Sequence, residues 1–288
     1  PMSDARILDR GYRRYDGPRL GVRGAVRSLA WHSALRALGL RRTFWAKLLP
    51  LAAVGIAYVP AMVFVGIAAL LPDELVDGGG VLPAYADYYG FISAAIVLFV
   101  ALVGPEVLCP DRRYRMLGLY LASPLSRDSY LVAKVLAVAP VLALVTLGPP
   151  LLLLVGLSLA DAGPDGVVEF LGILARIVAG GLVISAAYTA VSLAAASLTE
   201  RRAVASAGVI LVLLVSGVAT SALVATGADH RLLLLNLSLV PFELVQRIYG
   251  EVGEPQVSTV ALVVANLVWT LGAAALLRSR YHRLRITR

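Results

Sequence analysis

Residues 90–109 read GFISAAIVLFVALVGPEVLC, twenty positions with a single carboxylate, Glu106. About 20 apolar residues in a helix cross the ~30 Å of hydrocarbon in a bilayer. The stretch predicts a membrane-spanning helix, and five similar stretches flank it. The expected spans are Leu48–Leu71, Gly90–Cys109, Leu131–Leu159, Leu171–Leu198, Val204–Thr226 and Val257–Leu277. Only helices and closed barrels satisfy every backbone polar group inside lipid. Barrel strands alternate polar and apolar over about ten residues, and these runs do not. The expectation is an all-α polytopic membrane protein with six transmembrane helices.

Composition agrees. Apolar residues make up 59% of the 288 and charged residues 15%, whereas a soluble domain is nearer half and a quarter. The single cysteine, Cys109, leaves no intrachain disulfide and no Cys-based metal cage. His32, His230 and His282 fall in three different segments, so no His metal cluster is expected. No cleavable leader is expected, because the first apolar span starts near Leu48 behind a long basic tail.

Charge orders the spans. Of the 26 Lys and Arg residues, 23 fall in the tail up to Lys47, the connection from Cys109 to Lys134, the turn Thr199–Ala203 and the tail from Arg278. The other side holds Arg176, Arg231 and Arg247, together with 11 of the 18 acidic residues. Basic loops stay in the cytoplasm. Both termini are therefore expected there, in an inner (plasma) membrane. The net charge of +8 is a topology signal, and no nucleic-acid partner is expected. Three parts follow: residues 1–47 as a cytoplasmic tail with an interfacial helix, 48–277 as the six-helix transmembrane domain, and 278–288 as a basic cytoplasmic tail.

In the first tail, Val26, Leu29, Ala30, Ser33, Ala37 and Leu38 recur at helical spacing, with Ser28, His32 and Arg36 opposite. This predicts an amphipathic helix in the membrane interface, with Trp31, Phe44 and Trp45 at headgroup level. It serves as an anchor on anionic lipid, or also touches a cytoplasmic partner. Between the second and third spans, Asp111–Tyr130 is too short for a domain and too apolar for a solvated loop. Met116, Leu117, Leu119, Tyr120 and Leu121 predict about two turns of helix, ended by Ser123-Pro124 because a residue before proline avoids the helical region. That short helix faces either lipid and its own bundle or a partner protein.

The chain resembles permease subunits of bacterial ABC exporters of the type-2 (type V) class. The resemblance rests on Glu106, Asp111-Arg112-Arg113, Leu119-Tyr120-Leu121, Pro124-Leu125-Ser126-Arg127, Tyr130 and Lys134, and on the tail stretch Tyr12-Arg13-Arg14-Tyr15-Asp16-Gly17-Pro18-Arg19. It implies that residues 111–125 form a coupling helix seated in an ATP-hydrolysing subunit, through Arg112, Arg113, Met116, Leu117, Leu119, Tyr120, Pro124 and Leu125. It also implies two ATPase subunits per complex and a second permease, as a copy or a paralogue. The chain has no Gly-x-x-x-x-Gly-Lys-Ser/Thr loop, the loop that cradles nucleotide phosphates. It is expected to bind no cofactor itself, with ATP and magnesium held by the partner ATPase.

Ionisable groups inside a membrane default to functional readings. Glu106 follows Gly104-Pro105 near the inner end of the second span, within reach of Arg112, Arg113 and Lys134. A structural or gating ion pair is expected there. Arg176, about one turn into the fourth span, either snorkels outward or reads an anionic substrate headgroup. With Asn266 of the sixth span it forms the candidate substrate path. Residues 231–250 are too short to cross and are broken by Pro241. They predict short helices that either dip in from the outer face or lie on it.

Four functions compete: the ABC exporter permease, a membrane enzyme, an ion-coupled carrier, and a non-transporting scaffold or signalling subunit. No catalytic motif is visible for an enzyme, and the mid-span positions lack the charge usual in carriers.

Overall fold

The computed structural model describes residues 17, 20–40, 44–70, 82–253 and 256–284, with side chains omitted at 44–47 and 49. Tyr12–Asp16, Pro18 and Arg19 of the tail motif and the side chains of the Phe44 and Trp45 anchor lie outside that description. Every regular element among the described residues is helical: α1 (Gly21–Ala37), α2 (Phe44–Leu70), α3 (Tyr85–Arg113), α4 (Leu117–Leu121), α5 (Arg127–Thr146), α6 (Gly148–Leu159), α7 (Gly166–Leu198), α8 (Arg202–Ala225), a 3-10 turn at His230–Leu235, α9 (Val240–Tyr249) and α10 (Thr259–Arg283). Six stretches are long and apolar enough to cross a membrane: Pro50–Leu70 in α2, then α3, α5 with α6, α7, α8 and α10. The protein is an all-α polytopic membrane protein.

The span read first is the centre of the bundle. In its most apolar 18 residues, α3 is 67% buried, against 17% in α8 and in α10. It touches α1, α2, α5, α7, α8 and α9. Close approach needs small side chains: a Cβ on Gly104 would clash with the Ser192 side chain of α7. The Ser192 hydroxyl donates to Val100 O at 2.7 Å.

The third span, expected as one run, is two helices meeting at Leu147, with Pro149 and Pro150 opening α6. Prolines lack the N–H that continues a helical ladder. Groups freed inside a bilayer need partners from neighbouring helices. Here the Tyr58 hydroxyl of α2 donates to Leu144 O at 3.0 Å, and Thr146 ties the joint to α7 by donating its hydroxyl to Gly181 O at 2.9 Å.

α1 buries Leu29, Ser33 and Ala37 on one stripe against α5 and α3, so this face of the amphipathic helix lies on the bundle itself. Trp31 is exposed. The last span runs through Arg283, past its expected end at Leu277.

Residues 230–249 fold as a hairpin inside the bundle. Asn236, buried at the bend, accepts from the N–H groups of Ser238 and Leu239 at 3.1 and 3.0 Å and from the Ser238 hydroxyl at 2.7 Å. The tip is anchored at depth: Tyr188 of α7 donates to Ser238 O at 3.1 Å, and Ser238 donates to Leu213 O of α8 at 3.3 Å. Leu213 is about 18 Å along α8 from its Ala225 end at 1.5 Å per residue, near the middle of a ~30 Å hydrocarbon layer. The bend of the segment thus packs against the middle of α8.

Candidate functional site

All the described basic connections meet at one end of the bundle, around Asp111. This residue sits in the last turn of α3 and is 2% exposed. Its Oδ1 accepts from Arg36 Nη2 of α1 at 2.9 Å. Its Oδ2 accepts from Lys134 Nζ of α5 at 2.6 Å and from the Tyr130 hydroxyl at 2.9 Å. Lys134 is wholly buried and also donates to Ser33 Oγ at 3.0 Å. Its ammonium lies 5.7 Å from the Tyr120 ring centre and 5.2 Å from that of Tyr130, within cation–π range. Tyr281 of α10 stacks on Tyr130 with ring centres 5.7 Å apart. Burial alone would lower the Arg36 pKa, but the charge and hydrogen bond of Asp111 outweigh it and hold the guanidinium above its ordinary value. Burial, with Asp111 nearby, likewise raises the Tyr120 phenol.

Helix-ending chemistry places α4 over this cluster. Arg115 adopts a left-handed φ of 52°. Its N–H bonds Arg112 O, and Met116 N–H bonds Asp111 O at 2.8 Å, the paired pattern that closes a helix C-terminus. Glycine usually fills that left-handed position, and arginine there costs roughly 1–2 kcal/mol. The chain reverses into α4, which ends before Ser123-Pro124 as expected. Ser126 then caps α5 in a reciprocal pair with Ser129.

The expected coupling residues divide by burial. Leu119 is 65% exposed, and Arg113 and Pro124 are exposed with it. Met116, Leu117 and Tyr120 are half-buried, and Leu125 is buried. Tyr120 turns inward over Lys134. α4 therefore presents one apolar side chain outward from a base locked to α1, α3, α5 and α10. Further ties hold that base. Arg127 donates to the Tyr281 and Leu284 carbonyls, each at 3.2 Å, while Arg278 Nε and His282 pair with Asp128 at 2.9 and 3.0 Å.

The expected ion-pair set Glu106, Arg112 and Lys134 divides in two. Glu106 pairs with Arg202, at the start of α8. Lys134 belongs to Asp111, one turn and a half further along α3. Arg112 donates to the Ser197 and Thr199 carbonyls and lies 3.8 Å from Glu200, tying α3 to the α7–α8 turn. A carboxylate at a helix end meets whichever cations the neighbouring helices bring to its level, and proximity in sequence does not decide which. Asp111, Arg36, Ser33, Tyr281 and Arg202 are not among the expected site residues; Asp111 enters the sequence reading only through the resemblance motif, and Ser33 and Arg36 only through the amphipathic helix. The sequence signals for the cluster are the Asp-Arg-Arg run that starts five residues past Glu106 and the Tyr130–Lys134 pair, four residues apart on one helix face.

Arg176 lines a cleft of about 410 Å³ at the opposite end, with Tyr85, Glu169, Tyr249 and Glu251. Burial, with the Asp87 carboxylate nearby, raises the Glu251 pKa above the ordinary value. Asn266 is buried on α10 and does not line that cleft. The two candidate path residues do not share it. Among the described residues no His, Cys, Asp or Glu cluster could hold a metal ion. A comparison with protein-family models and with curated proteins finds no match for the chain.

Proposed function

We propose that this chain is the membrane subunit of an ATP-driven exporter of the ABC type, paired with a second permease and driven by separate ATPase subunits. The observation that carries this reading is α4, a short helix that directs Leu119 away from the bundle while Tyr120 is seated in the Asp111 cluster. An apolar side chain raised from a rigid, arginine-flanked base has the composition of an interface anchor. A push on α4 is passed to α1, α3, α5 and α10 together, since all of them meet at Asp111, Lys134 and Tyr281. Basic loops stay in the cytoplasm, so this end faces the nucleotide pool. The charged residues of the described spans lie toward the helix ends, which favours a driven permease over an ion-coupled carrier. The 230–249 hairpin packs against α7, α8 and α10; as a re-entrant segment it would close the outer side of a path.

The test is co-expression with an ABC ATPase, which this reading expects to find encoded beside the gene. Leu119→Asp places a charge on the exposed face of α4 without entering the core. It is expected to abolish co-purification of the ATPase and leave insertion and thermal stability unchanged. Undiminished co-purification and ATP turnover in that variant would sink the proposal.

A further inference from the structure

An open cleft of about 820 Å³ lies between the basic ends of α3 and α8, lined by Arg113, Tyr114, Glu200, Arg201 and Arg202 among others. This volume suits a small polar group. The charge within it does not cancel. Glu106 is engaged with Arg202, and Glu200 lies against Arg112. Arg113 and Arg201 have no ion pair among the described residues and are exposed. α8 begins here with no acidic residue in its first turn and no side-chain cap, so its leading N–H groups add positive potential. Along α8 from the cleft, Val204, Leu211, Leu214 and Val215 are exposed. They form an apolar wall that only lipid or another apolar surface can cover.

We propose that the cleft holds the phosphate-bearing headgroup of an anionic lipid, with Arg113 and Arg201 as its donors and the acyl chains lying along α8. A planar guanidinium matches two phosphate oxygens at once. Basic pockets between membrane helices on the cytoplasmic side take such headgroups. Tyr114 at the rim is exposed and is of the aromatic type that favours the headgroup layer. The inference needs only that this end lies at the membrane boundary. It stands or falls separately from the exporter reading.

The test uses the full chain in phosphatidylcholine nanodiscs with increasing phosphatidylglycerol, with bound lipid counted by native mass spectrometry. Wild type is expected to retain phosphatidylglycerol selectively. The double variant Arg113→Gln with Arg201→Gln is expected to bind it on the order of thirtyfold more weakly, the effect of two cations near an anionic headgroup. The double lysine variant should keep most of the binding. Arg231→Gln, at the opposite end, should change nothing. Equal retention in the double glutamine variant would overturn the site. So would a wild type that holds phosphatidylcholine as firmly, or inorganic phosphate that binds the cleft while phosphatidylglycerol fails to compete with it.

Discussion

The two ends of the bundle are held by different chemistry. At the basic end, one buried carboxylate, Asp111, gathers Arg36, Lys134 and Tyr130 from two other helices. Away from that end the bend of the hairpin is organised by one neutral amide, Asn236, and by hydroxyls donating to carbonyls, with Arg247 of α9 donating to Val257 O at 3.0 Å beyond it. Charged groups interact strongly in a low-dielectric setting, but each is costly when left alone. Neutral hydrogen bonds contribute about 1 kcal/mol each and fail gently. The contrast implies a basic end that moves as one block and a hairpin whose contacts can be exchanged one by one.

The largest expected effect is at Asp111. Asp111→Ala leaves Lys134 buried opposite no carboxylate. Breaking a buried pair from one side costs roughly 3–5 kcal/mol, to be read as a fall in the thermal or denaturant midpoint of the purified protein. Adding Lys134→Met should recover part of that loss, because the pair is removed together. Asp111→Ala that unfolds like wild type would mean the cluster adds no more than the neutral bonds at the hairpin bend do. Asn236→Ala comes next, at about 1–3 kcal/mol for the loss of the accepted hydrogen bonds. Here hydrogen exchange is expected to rise in residues 230–249 while the basic end keeps its protection. A loss spread evenly over the whole chain would erase the distinction between the two ends.

The smallest effects pair the two ends directly, because each closes a helix with the same backbone motif. α3 places Arg115 at the left-handed position with φ 52°, and α9 places Gly250 there with φ 88°. Arg115→Gly relieves strain and should stabilise by up to about 1 kcal/mol, the left-handed penalty less the added chain entropy of glycine. Gly250→Ala should destabilise by about 1 kcal/mol, since nothing lies near its added Cβ and strain alone acts. Two shifts of the same sign would show that the local backbone does not set these ends.

Much of the fold was legible because hydrophobic length is a one-dimensional property. A stretch such as Gly90–Cys109 must be helical in lipid whatever surrounds it. The Ser123-Pro124 stop after α4 was legible for the same reason, since proline constrains its own neighbours. The break at Leu147 was missed although Pro149 and Pro150 stand in plain view, because apolar content continues through it and length alone hides the joint. The site was legible only in outline. The residues of α4 were named, but the carboxylate beneath them was passed over for Glu106, which has a cation of its own in Arg202.

The sequence by itself determined that the protein lives in a membrane, that six helices cross it, and that its basic connections share a side. Each follows from local composition acting against a uniform solvent. Only the tertiary structure decided which helix is central, how deep the 230–249 hairpin reaches, and which cation meets which carboxylate. Those depend on helix rotation and depth, which bring residues as far apart as Arg36, Asp111 and Tyr281 to a single level.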